Sequence, residues 1–313
     1  MAEHDPQIEE TPEQERTERD RSFIDILFFP PEERRLRTGW RLFLQSLVLV
    51  AFILGMQFIL PYYLYSNFPA LFSYDFYISR FILFLGITGT VFAARVILDD
   101  RSFKSLGLHV DGKAGLDFAV GMGISFLIAG FLFLVFWALD WVNFQGFAWN
   151  VDVPQQFTLF WFIFLVVFLA KAWQEEILFR GYWLKNIQDS LGDYWAMGIS
   201  ALVFSLIHVF STGLSIRALA ALFALGLFYG YALVSSGQLW LPLGLHLGWK
   251  VFGGNIFGFR VNGLQVPGLL IQQLDGPALW TGGVFGPDAG LMIFPALVLG
   301  SFLIWAHRVS RKG

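Results

Sequence analysis

Residues 157–185 read FTLFWFIFLVVFLAKAWQEEILFRGYWLK, and they indicate the class of protein to which the chain belongs. Its first half contains no charged side chain. The whole stretch is longer than the ~20 residues that a helix needs to cross a bilayer. Two adjacent glutamates, Glu175 and Glu176, nevertheless lie between Lys171 and Arg180. A charge inside a spanning helix costs free energy and persists mainly when it is paired or functional. The stretch therefore predicts a membrane protein, and it predicts that the functional site contains the two glutamates.

The remaining sequence has a membrane composition. Of 313 residues, 56% are hydrophobic and 14% are charged, with a mean hydropathy of +0.59, whereas soluble domains are about 25% charged. Residues 1–41 hold 18 of the 45 charged side chains. This composition excludes an ordinary soluble protein, and the lack of cysteine excludes a disulfide scaffold and a cysteine nucleophile. With a net charge of −3 and no basic stripe, no nucleic-acid partner is expected.

Hydropathy predicts an all-α, polytopic membrane helix bundle of about eight transmembrane helices. We divide the chain into a cytoplasmic, largely disordered segment (1–40), an integral membrane domain (41–308) and a cytoplasmic tail (309–313). Met1–Asp20 is too polar to form a core, and Phe23–Pro30 is predicted to lie at the membrane surface. The apolar segments are 42–65, 76–98, 115–139, 157–185, 194–210, 216–235, 239–256 and 289–306.

The distribution of Lys and Arg in the short loops predicts the orientation, because cytoplasmic loops carry the excess. With eight spans both termini share a side, and the loops of the other side contain only Arg80, Arg217 and Arg260. Both termini are therefore predicted to be cytoplasmic. The basic residues on the side of the termini are Arg34, Arg35, Arg37, Arg41, Arg95, Arg101, Lys104, Lys113, Lys185, Arg308, Arg311 and Lys312.

Glu175 and Glu176 are the only glutamates after residue 33. Glu176 and Arg180 are four residues apart on one helix face, so a structural ion pair would explain Glu176. Glu175 lies about 100° round the helix from Glu176, and Lys171 could neutralise it instead. A buried carboxylate near other ionisable groups is a candidate general base.

Two histidines also fall inside apolar segments, His208 and His246. A single histidine on a packed face is most often a hydrogen-bonded core residue. Two of them together with the glutamate pair, in a chain this poor in polar residues, predict convergence on one polar site. Imidazoles there could bind a metal, orient a water or donate to an oxyanion.

These residues resemble the three-motif signature of the CPBP (Abi, type II CAAX prenyl endopeptidase) intramembrane proteases. The motifs are Glu175-Glu176-x-x-x-Arg180, Phe204-x-x-x-His208 and His246, in that order. The resemblance covers roughly residues 155–305 and implies an eight-helix membrane fold. Further similar stretches are Phe179–Tyr182, Gly226–Gly230, Ser236–Pro242 and Gly282–Asp288.

The resemblance implies an intramembrane endopeptidase with Glu175, Glu176, His208 and His246 as its catalytic residues. Glu175 would activate a water for attack on a peptide carbonyl, and His208 and His246 would orient that water or stabilise the oxyanion. Arg180 would hold Glu176, and Phe204 would support the site. The implied substrate is a membrane-embedded or lipidated (CAAX-like) protein, and the implied location is the cell (inner) membrane.

One position departs from the family pattern. The third motif usually has Asn or Asp four residues after its histidine, and this chain has Lys250, beside His246 on the helix. An ammonium can donate to an oxyanion, but it disfavours a divalent cation nearby. Alternatively, Lys250 pairs with Glu175 and leaves a non-catalytic immunity or scaffolding protein. Asn255 lies about 180° away on that helix and is a poor substitute.

Two further alternatives concern a metal and transport. Zinc could be held by His208, His246 and Glu175 together with a water, but there is no His-Glu-x-x-His motif, so we favour a metal-free, glutamate-activated water. A transporter would also place Glu and His in the membrane, but no inverted repeat is visible.

The sequence also predicts where the site opens. Helical rise places Glu175 about 27 Å from Phe157 and ~15 Å from Lys185, so the site is predicted to open towards the cytoplasm. Asp288 is predicted to be the N-cap of the last helix.

Overall fold

The computed structural model describes residues 22–30, 35–153 and 155–311. The polar segment Met1–Asp20, predicted to be disordered, lies outside these residues. A short helix, α1 (Phe23–Phe28), begins at a capping box formed by Ser22 and Asp25. Its apolar side chains are exposed, and Phe28 stacks on Trp40 with the ring centroids 4.7 Å apart. This stacking fixes α1 to the start of the next helix.

The predicted all-α bundle is confirmed, and the helix bounds lie within a few residues of most of the apolar segments. Three of the helices continue into π-helical segments. The elements are α2 (Thr38–Ile59, then π-helical Leu60–Tyr65), α3 (Asp75–Ile97), α4 (Ala114–Ala138), β1 (Val142–Phe147), α5 (Phe157–Glu175, then π-helical Glu176–Leu184), α6 (Lys185–Leu206), α7 (Ile216–Ser236), α8 (Trp240–Gly248, then π-helical Trp249–Ile256), β2 (Leu270–Leu274), α9 (Ala278–Thr281) and α10 (Ile293–Ser310).

The chain is a multi-pass membrane protein. In its described part, six helical stretches are long and apolar enough to cross a membrane. One of them, Phe157–Leu206, holds two crossings, because the backbone bends at Gly192 (φ 78°) and α6 packs back on α5. Ser200 Oγ accordingly donates to the Phe179 carbonyl at 2.8 Å. With the shorter α8, the described residues run through the bundle eight times.

The two ends of the bundle are built differently. The end that carries Thr38 and Ser310, here called the terminal end, is joined by polar contacts such as Arg101 Nη1 to Asp189 Oδ2 at 2.7 Å. The opposite end, here called the distal end, is covered by an antiparallel pair of strands, β1 and β2. The stretch Phe257–Gly286, which lies between the last two apolar segments of the sequence, contains β2 and α9.

A buried polar cluster ties three helices together at the terminal end. Asp99 accepts from Arg41 Nη1 and from Arg95 Nη1, both at 2.8 Å, and Asn186 Nδ2 donates to its second oxygen at 3.1 Å. All four side chains are buried. Since removing one partner of a buried ion pair leaves an uncompensated charge, this cluster fixes α2, α3 and α6 relative to one another.

Small residues bring α4 and α8 into close contact. A Cβ atom at Gly244 would lie 2.2 Å from the Phe118 carbonyl oxygen, and one at Gly121 would lie 2.5 Å from the Leu241 carbonyl oxygen. Small residues allow this approach in membrane bundles, where packing rather than the hydrophobic effect drives helix association. The contact fixes the part of α8 that carries the third predicted motif.

Candidate active site

The two glutamates lie where α5 changes from an α-helix into a π-helix. Glu175 is the last residue of the α-helical part and Glu176 the first of the π-helical part. Both side chains are buried, with 3% and 0% of their surface exposed. π-Helical turns occur frequently at functional sites. Here the turn places two carboxylates inside the bundle.

Four basic side chains surround the Glu175 carboxylate. Lys171 Nζ lies 2.6 Å from Oε1, as the sequence predicted for the residue four positions earlier. From the other helices, His246 Nε2 lies 3.0 Å from Oε2, His208 Nε2 3.7 Å from Oε1 and Lys250 Nζ 3.9 Å from Oε2. The predicted convergence of these side chains on one site is confirmed.

Glu176 has a different environment. Arg180 Nη1 donates to its Oε1 at 3.2 Å, so the predicted pair is present. His246 Nδ1 donates to the same oxygen at 2.7 Å, a contact that helix periodicity could not reveal. Glu176 therefore holds the His246 ring and fixes its Nδ1–H, which turns Nε2 towards Glu175.

Arg180 is fully buried and bound on several sides. Besides Glu176 it donates through Nη2 to the Gly226 carbonyl at 3.2 Å. Its guanidinium lies 4.3 Å from the centroid of the Phe204 ring, within the range of a cation–π contact. Arg180 thus connects α5 with α6 and α7 and holds Glu176 in place.

His208 follows the end of α6, and its orientation is set by Phe204. His208 Nδ1 lies 2.8 Å from the Phe204 carbonyl oxygen. Because a carbonyl only accepts, Nδ1 is the donor, and the Nε2 of the neutral ring presents its lone pair. Nε2 faces the Glu175 carboxylate.

One residue of the site was missed from the sequence. Tyr229 of α7 stacks on His246 with the ring centroids 4.7 Å apart and the planes 14° apart. Its position within the Gly226–Gly230 stretch was a signal, but an aromatic residue in an apolar helix is ordinarily core. Tyr229 supports the face of the His246 ring.

Lys250 lies in the π-helical part of α8 with 2% of its surface exposed. Its ammonium points to Glu175, as both alternatives for this residue require. Asn255 instead donates to the carbonyls of Trp161 and Pro267. It takes no part in the site, as its angular position on the helix predicted.

A cavity of about 250 Å³ leads to this site from the distal end. The predicted opening towards the side of the termini is wrong. Helical rise measures only the depth of Glu175 along α5, whereas access to it depends on the neighbouring helices. Between Glu175 and the terminal end, the core is closed by buried side chains such as Tyr182, Leu184 and Leu239. The cavity is lined by Phe76, Arg80, Phe164, Val167, Phe168, Ala170, Lys171, Gln174, His208, Phe210, Ser211, Thr212, Lys250, Val261, Asn262 and Leu264.

The alternative zinc site on His208, His246 and Glu175 does not fit this geometry. His246 uses Nδ1 for Glu176 and aims Nε2 at Glu175. The Glu175 carboxylate already faces two ammonium groups, which would repel a divalent cation. Within residues 22–30, 35–153 and 155–311, no three His, Cys, Asp or Glu side chains are grouped to hold a metal.

The predicted role of Asp288 as a helix N-cap is wrong. Asp288 lies in a buried 3₁₀ turn, Pro287–Ala289, and α10 begins only at Ile293. Its Oδ1 is buried without a hydrogen-bond partner among the described residues. Burial raises the pKa of Asp288 to about 6. The Gly-Pro-Asp turn packs inward because β2, α9 and the turn together cover the distal end.

The fold and site are those of a multi-pass membrane protein with a buried Glu/His centre. Residues 157–252 match a family model described as Rce1-like, type II CAAX prenyl endopeptidase Rce1-like. The match confirms the family resemblance that the three motifs predicted. No curated protein and no solved structure matches the chain. The matched range contains Glu175, Glu176, Arg180, Phe204, His208, His246 and Lys250.

Proposed function

We propose that this chain is an intramembrane endopeptidase that hydrolyses a peptide bond of a membrane-embedded or lipidated substrate. One observation carries the proposal. The Nε2 atom of His208 is buried without a hydrogen-bond partner among the described residues and lies 3.7 Å from Oε1 of Glu175, a buried carboxylate. Buried polar atoms are ordinarily satisfied, and unpaired ones at a cavity mark atoms available to a reactant. The family match supports the same reaction class.

In this proposal Glu175 is the general base and His208 orients the nucleophilic water. A water within hydrogen-bond distance of both Glu175 Oε1 and His208 Nε2 can donate one proton to each, because the two atoms are 3.7 Å apart. Its oxygen attacks the peptide carbonyl carbon as Glu175 takes a proton. The C–N bond then breaks, and Glu175 passes that proton to the departing amine.

In this mechanism Lys250 stabilises the oxyanion of the tetrahedral intermediate. Its ammonium is buried beside Glu175 and lines the cavity. A preorganised donor in a site with little water stabilises developing negative charge strongly. Glu176 and Arg180 act indirectly, since they hold the His246 ring and the α5 turn.

The test is cleavage by the purified full-length chain in lipid nanodiscs. The probes are fluorescence-quenched peptides, one farnesylated at a CAAX-type end and one with a plain transmembrane segment. We expect Glu175→Gln to lower kcat by about 10²- to 10⁴-fold, the range of general-base catalysis. Asp111→Asn is the matched control, since it makes the same chemical change at an exposed carboxylate outside the cavity. Unchanged cleavage by Glu175→Gln would overturn the mechanism.

A second candidate function has its own support. Lys171 and Lys250 hold Glu175 between two ammonium groups at 2.6 and 3.9 Å, as a non-catalytic scaffold would require. In that case the wild-type chain cleaves neither probe, and Lys250→Asn produces or strongly increases cleavage. The endopeptidase proposal expects instead that the wild-type chain cleaves a probe and that Lys250→Asn does not cleave it faster.

A further inference from the structure

Another cavity, of about 520 Å³, lies at the terminal end between the start of α2 and α6. Its volume falls within the ~300–1,000 Å³ of small-molecule sites. The charged side chains that line it are three arginines and one carboxylate, namely Arg35, Arg37, Arg41 and Asp189. Asp189 Oδ2 already faces Arg101 Nη1 at 2.7 Å and Arg35 Nη1 at 3.9 Å. The cavity therefore has an excess of positive charge, which attracts an anion.

The buried polar cluster beside this cavity also has one positive charge in excess. Arg41 and Arg95 are 2% and 1% exposed, and both pair with one carboxylate, Asp99, at 2.8 Å. No other carboxylate in the described part of the chain pairs with either guanidinium. Arg41 lines the cavity, and its Nε is buried without a hydrogen-bond partner among the described residues. Because a buried charge without a counter-ion is costly, an anion in the cavity would stabilise the fold.

The helix α1 adds an apolar surface to this charged cavity. Arg37 joins the two, since it lines the cavity and its Nε donates to the Ile26 carbonyl at 2.9 Å. On α1, Phe23 and Ile24 are 78% and 63% exposed. Exposed apolar side chains next to basic residues are typical of segments that lie in a membrane interface. An anion carried on an apolar tail fits both surfaces, whereas a free phosphate ion would use only the arginines.

We propose that this cavity binds the phosphate group of an anionic phospholipid such as phosphatidylglycerol, with the acyl chains against α1. The guanidinium groups of Arg35 and Arg37 bind the phosphate oxygens, for which arginine has the matching donor geometry. The hydroxyls of Thr38 and Ser190, which contact each other at the cavity wall, are further donors to the headgroup. Basic pockets between membrane helices bind phospholipid headgroups in this way. The site lies at the end opposite the cavity that leads to Glu175, so it does not depend on the proposed endopeptidase function.

The experiment counts the lipids bound to the full-length chain by native mass spectrometry. Protein purified in a non-ionic detergent is titrated with phosphatidylglycerol or with the zwitterionic phosphatidylcholine. We expect phosphatidylglycerol to bind about tenfold more tightly, as for hydrogen bonds to a charged group. Arg35→Gln and Arg37→Gln should each weaken its binding about fivefold, the contribution of one basic residue at an anionic membrane surface. Arg308→Gln removes the same charge from an exposed residue at the same end outside the cavity, and it should leave the affinity unchanged.

Two further measurements test the lipid itself. Phosphatidylglycerol should raise the thermal unfolding temperature of the wild-type chain, as a ligand of the folded state does, and raise that of Arg35→Gln less. Phe23→Ser should weaken the binding of phosphatidylglycerol, because the acyl chains lose part of their apolar contact. Displacement of the lipid by an equal concentration of glycerol 3-phosphate would overturn the proposal, because the ligand would then be a soluble phosphate ester.

Three other outcomes would also overturn it. The first is equal affinity for the two lipids. The second is a preference for phosphatidylglycerol that survives both Arg35→Gln and Arg37→Gln. The third is an equal loss of binding in Arg308→Gln, because the lipid would then respond to the overall charge of this end rather than to the cavity.

Discussion

The Nε2 atom of His208 lies 3.7 Å from Oε1 of Glu175, and Nε2 has no hydrogen-bond partner among the described residues. The two residues come from different helices, and each is fixed from behind. Phe204 orients the His208 ring through its carbonyl, and the end of the α-helical part of α5 positions Glu175. This separation suits a shared water better than a direct bond.

Replacing His208 should therefore impair the chemical step more than substrate binding. We expect His208→Ala to lower kcat by about 10²-fold or more with a smaller effect on KM, because the water loses one of its two acceptors. The measurement is steady-state cleavage of the quenched peptides. His109→Ala is the control, since His109 is exposed at the terminal end. A change confined to KM would contradict the assigned role.

Lys250 should contribute to catalysis as a donor. We expect Lys250→Ala to lower kcat by about 10²- to 10³-fold, as when an oxyanion donor is removed. Lys250→Asn should recover most of this loss, because an amide at that position can also donate. The comparison uses kcat for both variants on one peptide. A gain in Lys250→Asn above the wild-type rate would show that the ammonium is a handicap.

Arg180 should matter mainly for stability. It is fully buried, paired with Glu176 and stacked over Phe204. Arg180→Gln leaves Glu176 partly uncompensated, which costs about 3–5 kcal/mol for a buried pair. The thermal unfolding temperature of the variant should fall clearly, and that of Arg217→Gln should not, because Arg217 is exposed. Equal unfolding temperatures for Arg180→Gln and wild type would contradict the structural role.

Much of this arrangement could be predicted because charges are expensive in a membrane. A chain that retains Glu175, Glu176, His208 and His246 in apolar segments must pair them or use them, so their convergence followed from the sequence. The helical pairs also followed, since Lys171–Glu175 and Glu176–Arg180 are each four residues apart on one helix.

The contacts that the sequence did not reveal and the predictions that were wrong all depend on packing between distant segments. The contact of His246 with Glu176 joins residues 70 positions apart, and no periodicity reveals it. The direction of opening depends on which neighbours close the core, and the role of Asp288 depends on a turn that packs inward.

The buried carboxyl of Asp288 should make stability depend on pH. Burial raises its pKa to about 6, so the folded state binds a proton more tightly than the unfolded state does. Its contribution to stability is thus greatest below about pH 4 and is lost as the pH rises through 6. Asp288→Asn should therefore gain stability relative to wild type between pH 4.5 and pH 8, by up to about 3 kcal/mol. Thermal unfolding at both pH values measures this, and a pH-independent difference would contradict it.

The contact between α4 and α8 should be intolerant of a single methyl group. A Cβ at Gly244 would lie 2.2 Å from the Phe118 carbonyl oxygen, so Gly244→Ala must push the two helices apart. Because His246 lies two residues further along α8, the displacement should lower kcat by about tenfold or more, as misplacement near a reactive centre does, and it should also lower the unfolding temperature. Gly123→Ala is the matched control on α4, where an added Cβ meets no atom within 4 Å. There the same methyl should leave both measurements unchanged or raise stability slightly, since alanine restricts the unfolded chain. If Gly244→Ala behaves like Gly123→Ala, close packing of α4 on α8 does not position His246.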